Sequence, residues 1–288
     1  MDKPKLKCLP ASHAPAGSRQ SVRRHSGVVR MTHWVNVLCF SVLLMSGLQI
    51  FNAHPRLYWG EYGADSDQAF IAIGSEQHGD RLKGFFQIGP LSIETTGILG
   101  VSREGDAVTE KAFPSWLTIP SYHDLGAGRN WHFLFAWLLL INGFVYLAHG
   151  LWRGHIRRDL LPNRDQLGWR HVWREVVDHA RLRFAKGEHA RRYNSLQKMT
   201  YLLVALVLLP LMVLTGLTMS PGLNAVFPFL PDLFGGRPSA RTLHFLTASS
   251  LVLFVVVHVL MVVLSGFWNN LRSMMSGRYV IDHSGDTK

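Results

Sequence analysis

Polar and apolar positions are sharply segregated along this chain. Four stretches, Trp34–Phe51, Trp131–Trp152, Met199–Pro231 and Thr242–Leu271, contain no Asp, Glu, Lys or Arg. The hydrocarbon core of a bilayer is about 30 Å thick and takes roughly 20 apolar residues in helix to cross. Soluble helices seldom exclude charge over four runs of that kind. The pattern predicts an all-α integral membrane protein, a four-helix bundle with helices over about 30–52, 130–152, 198–220 and 241–268.

The polar segments between the runs predict the topology. Residues 1–25, rich in Pro, Ala, Ser and Lys, read as a disordered tail. Up to Thr32 the chain carries seven basic residues and one acid, and from Arg153 to Lys198 twelve against five. Residues 53–129 reverse the balance, with ten acids and six basic residues. The positive-inside rule then puts the N-tail, the 153–197 loop and the 273–288 tail in the cytoplasm of a bacterial inner membrane, and the 53–129 loop outside. The pI near 10.0 reports this topology and anionic headgroups, not nucleic acid. Arg23–Arg24 resembles a twin-arginine signal, but the run behind it is long enough to remain as a span. With only Cys8 and Cys39, neither a disulfide nor an iron–sulfur cluster is expected.

Five of the fifteen histidines, His33, His132, His149, His244 and His258, fall in or beside the predicted spans. Ionisable residues there are costly, so they mark function. His244 and His258 are fourteen residues apart. On a helix that is about 21 Å of rise with directions within about 40° of each other. Two imidazoles stacked on one face, one near each membrane surface, match two haem irons. Each iron needs a second axial ligand at the same depth. That pairs His132 with His244 on the outer side and His33 with His258 on the inner side. His149 lies at the inner depth and competes with His33.

Three of these histidines share a motif: "RMTH" ends at His33, "RNWH" at His132 and "RTLH" at His244. Residues i and i+3 share a helix face, so Arg30, Arg129 and Arg241 are candidate partners for anionic haem propionates. Plain anchoring at the membrane surface is the alternative. Gly47, Gly143 and Gly216 leave room for a close approach, and Pro210 predicts a kink in the third helix.

These residues carry a resemblance. The Arg-x-x-His opening of helix 1, the helix 2 histidine, "YNSLQK" at 193–198 and the helix 4 histidine pair are similar to the bacterial cytochrome b561 and nickel–iron hydrogenase b-subunit superfamily. It includes the membrane subunits of formate dehydrogenase and thiosulfate reductase. The resemblance implies two haem b groups and a quinone site near the inner one, with Asn194 in the quinone-side position and Gln197 its companion. Asn194 as a plain helix cap is the competing reading. The 77-residue segment 53–129 is longer than in the formate dehydrogenase subunit and resembles the thiosulfate reductase branch, which accompanies molybdenum oxidoreductases.

The expected function is electron transfer between quinone or quinol in the bilayer and a periplasmic redox subunit of molybdenum oxidoreductase or hydrogenase type. The chain's own chemistry would be quinone oxidation or reduction at one face. A free-standing b561-type superoxide or ferric:quinone reductase is the rival, since it needs the same haems but no partner. A metal or proton transporter would leave the Arg-x-x-His openings unexplained. His54, His78 and His123 in the outer segment lack metal-site spacing.

Overall fold

The computed structural model describes residues 19–23, 25–63, 67–152, 173–174, 177 and 195–282. The first span, α1 (Gly27–Asn52), starts three residues ahead of its expected start, capped by the Ser26 hydroxyl, which accepts from the Val29 N–H. The second, α2 (Leu125–Trp152), also starts early, because Asp124 accepts from the Ala127 N–H.

The third span is divided into α3 (Ser195–Leu203), a π-helical turn over Val204–Leu208, and α4 (Leu209–Thr218). Pro210 cannot donate to the preceding turn, and the wider turn before it absorbs the missing bond, in place of a simple kink. Short helices α5 (Pro221–Val226) and α6 (Phe229–Leu233) lead to α7 (Arg237–Leu264), the fourth span. That span stops four residues before its expected end, at Gly266 with φ +114°, and α8 (Phe267–Ser276) runs on separately.

These four spans are long and apolar enough to cross a bilayer, and they expose Leu134, Phe144, Leu206 and Leu253. An apolar surface of that extent belongs in lipid. The spans form two hairpins, α1 with α2 and α3–α4 with α7. Each hairpin packs closely within itself, while the hairpins approach each other sparsely, which leaves a slot between them.

Eight strands among the described residues make the molecule mostly helical instead of all-α. At one end β1 (Arg19–Arg23) pairs antiparallel with β8 (Arg278–Asp282), so residues 19–23 of the segment read as a disordered tail form a strand, while residues 1–18 lie outside the described residues. At the other end the 53–129 segment folds into a small β domain. Strands β2 (Arg56–Leu57), β3 (Ile71–His78), β4 (Arg81–Ile88) and β5 (Leu91–Glu94) form one antiparallel sheet in sequence order, beside a hairpin of β6 (Ser102–Glu104) and β7 (Ala107–Thr109). Short alternating stretches broken by glycine turns suit strands better than helices. A Cβ on Gly84 or Gly100 would strike backbone of the crossing segment, so glycine is required there.

The domain's core is Phe51, Leu57, Ile71, Ile73 and Ala112, with Phe245 and Leu246 of α7 packed against it. The Phe51 and Phe245 rings stack at 4.9 Å. Burying such a ring is worth about 1.5–3 kcal/mol. Polar ties fix its seat: Gln49 donates to the Tyr122 carbonyl, Asn52 exchanges two bonds with Phe113, and Thr242 donates to the Tyr58 carbonyl.

Candidate haem sites between the two hairpins

The slot between the hairpins is crossed twice by histidines. His132 of α2 meets His244 of α7 with ring centroids 6.3 Å apart, beside the loop domain. His33 of α1 meets His258 of α7 at 6.4 Å, toward the termini. A metal–imidazole bond is about 2 Å long, and the ring centre lies roughly 1 Å beyond the nitrogen. Two imidazoles on opposite sides of one ion therefore stand a little over 6 Å apart, and both pairs have that spacing. The chain brings together all four residues the sequence reading paired, in the predicted combination.

The loop-side pair is held by hydroxyls. Ser46 Oγ lies 3.1 Å from His132 Nδ1, and Thr215 Oγ1 lies 3.0 Å from His244 Nδ1. Each hydroxyl donates its own hydrogen one turn back, Ser46 to the Val42 carbonyl and Thr215 to the Leu211 carbonyl. Its oxygen is left to accept, so each ring carries its proton on Nδ1 and presents the Nε2 lone pair. Both hydroxyl residues are fully buried. Sequence reading missed them. The signal that would have found them is the matching pair "LMSGL" at 44–48 and "VLTGL" at 213–217.

No hydroxyl tie of this kind reaches His33 or His258 among the described residues. Their support is indirect. Buried Asn142 donates to the Thr32 carbonyl at 2.8 Å and to Asn36 Oδ1 at 2.7 Å, gripping α1 on both sides of His33. His149 is elsewhere, its Nε2 3.5 Å from the Ser26 hydroxyl at the α1 cap.

Arg30 donates to the Met275 carbonyl, and its buried Nε has no partner among the described residues. Arg129 lies over the Phe133 ring at 5.8 Å. Arg241 donates to the His54 carbonyl and lies over the Phe51 ring. Gly47 and Gly216 sit under the loop-side imidazoles: an added Cβ would stand 3.4 Å from Cε1 of His132 or His244. Gly143 faces open space. Gln197 is half-buried near the start of α3, while Asn194 lies outside the described residues.

Among the described residues no group of three or more His, Cys, Asp or Glu is placed to hold a metal. Imidazoles supplied only in opposed pairs suit an ion whose remaining ligands come from a flat macrocycle. The slot between the hairpins and the unpartnered donor on Arg30 fit the same group.

The comparisons with known proteins agree. The chain is 28% identical over 247 residues to the putative protein-methionine-sulfoxide reductase subunit YedZ1 of Azospira oryzae, covering 86% of this chain and 93% of that protein. No solved structure matches. The family model described as prokaryotic cytochrome b561 matches residues 24–277, which takes in all four spans and the loop domain. The chain belongs to the prokaryotic cytochrome b561 family, membrane proteins that bind haem b and carry electrons.

Proposed function

We propose that this protein is a di-haem cytochrome b linking the quinone pool to a separate redox subunit that docks on the loop domain. The observation that carries this reading is the ladder of two opposed histidine pairs, both hung on α7. His132 with His244, and His33 with His258, are the axial ligands. Haem b, when bound, supplies a one-electron iron couple whose potential the protein tunes. The chain sets the spacing: about 21 Å along α7 between the two ligands, from helix rise.

Next to the loop-side pair, Phe51 and Phe245 stack at the seat of the loop domain, an apolar cover over that end of the bundle. Arg30, Arg129 and Arg241 are the propionate partners, Arg30 having a buried Nε with no partner among the described residues. Asn194 and Gln197 are the quinone-side amides, Gln197 near the start of α3, and a quinol bound there would give up two electrons and two protons. The charge balance supports a bacterial inner membrane with both termini cytoplasmic and the loop domain periplasmic. The name of the Azospira relative, a reductase subunit, supports a separate oxidoreductase as partner, and the molybdenum or hydrogenase type is what the sequence resemblance implies.

The test is a haem count per chain on protein purified in mild detergent, with a dithionite-reduced minus oxidised spectrum. Two haem b per chain are expected. One would show that a histidine pair is misassigned, and none in folded material would overturn the reading.

A further inference from the structure

Hydroxyl side chains that bond back to their own helix are common in the spans: Thr32, Ser41, Thr218, Thr247, Ser249 and Ser250 all do so. Ser46 and Thr215 do the same and also meet a histidine ring. Each is followed by a glycine, Gly47 or Gly216, over which the edge of that ring lies. A two-residue seat, hydroxyl for Nδ1 and bare Cα for Cε1, is therefore built twice.

The repetition is regular. α2 and α7 are both 28 residues long, and His132 and His244 are each the eighth residue of their helix. Arg129 and Arg241 are each the fifth. The facing seats are on α1 and α4, the partner helices of the two hairpins. One hairpin repeats the other, and the loop-side pair lies where the two copies meet.

We propose that Ser46 and Thr215 are positioning residues for the loop-side haem, hydroxyl acceptors that hold both axial imidazoles as Nδ1–H tautomers and strengthen their Nε2 lone pairs toward the iron. This rests on the ligand reading above. A hydrogen bond accepted from Nδ1–H pushes electron density to Nε2 and favours the ferric state. The hydroxyls act on one haem only, because no hydroxyl among the described residues meets the termini-side rings. Their loss removes the Nδ1 acceptors and leaves the ligating Nε2 atoms in place, so the haem stays but its potential rises.

The experiment is a potentiometric titration, followed by haem absorbance, of the purified holoprotein and of Ser46→Ala, Thr215→Val and the double variant. In the double variant one of two midpoints is expected to rise by about tenfold in the ferrous-to-ferric ratio, about 59 mV for a one-electron couple. The other midpoint stays. Single variants give part of the shift, which keeps the test alive should the double variant fold poorly, and Thr215→Ser restores the original value. Two retained haems with both midpoints unmoved would overturn the proposal and leave the ligand reading standing. Full haem content in His244→Ala would instead overturn the ligand reading itself.

Discussion

The two histidine pairs have nearly the same ring spacing but are held in different ways. The loop-side rings are gripped directly, each by a buried hydroxyl on the facing helix, and are roofed by an apolar domain. The termini-side rings are set by the backbone of α1, through Asn142, and by the packing of α8 over the helix 1 opening, where Trp34 donates to the Met274 carbonyl. One site is defined by side chains that touch the ligand. The other depends on how two chain ends are tied together, by the β1–β8 pairing and by Arg30 on Met275. A repeated hairpin accounts for the difference. Its axis produces one symmetric pair, and the second pair is available to only one copy. The positions matching His258 and His33 in the other hairpin are Tyr146 and Leu202.

The largest effect expected is loss of a haem. His132→Ala and His244→Ala should each reduce the count from two to one and leave the same remaining spectrum. His33→Ala and His258→Ala should leave the complementary spectrum. Loss of both haems from a termini-side variant would mean the sites are not independent, and the comparison would fail.

Next comes the indirect support. Asn142→Leu removes the donor to Asn36 and the Thr32 carbonyl, a cost of about 1–3 kcal/mol for buried polar groups left without it. Thermal bleaching monitored across the Soret band should show the termini-side haem lost at lower temperature, with the loop-side haem little changed. Equal losses would show that Asn142 supports the bundle as a whole.

His149→Ala should keep both haems and change stability by no more than about 0.5 kcal/mol, the range for changes outside such features. A missing haem there would make His149, and not His33, the fourth ligand.

The smallest effect concerns the roof. Glu104 is held below the ordinary carboxylate range, first by hydrogen bonds from Ser115 and then by nearby Lys111. A depressed folded-state value contributes stability above the unfolded value, about pH 4.3, and loses it as pH falls through the folded one. Limited proteolysis should show the loop domain opening below about pH 4, with Glu104→Gln already weakened at neutral pH and less sensitive to acid. An identical acid response in the variant would remove Glu104 from the account.

Helix positions were legible because charge exclusion is a local property of the chain. Their ends moved where a local device intervened: Ser26 and Asp124 as caps, Gly266 as a break, and the π turn ahead of Pro210. The β domain was legible only as an ordered segment. Its strands are short, and the core that stabilises them is completed by Phe51, Phe245 and Leu246 from helices far away in sequence. Arg241 shows the same limit. Its motif pointed to a propionate, and its place on the His54 carbonyl depends on where the loop domain sits.

The sequence by itself determined four helices long and apolar enough to cross a bilayer and which histidines share a helix face, because helix rise and turn are constant and a bilayer tolerates charge only at its edges. Tertiary structure alone decided which hydroxyls meet the rings, that two hairpins repeat one design, and that one pair is gripped while the other is framed. Those facts depend on contacts between residues far apart in sequence, such as Trp34 with Met274, 240 positions away, which no local pattern encodes.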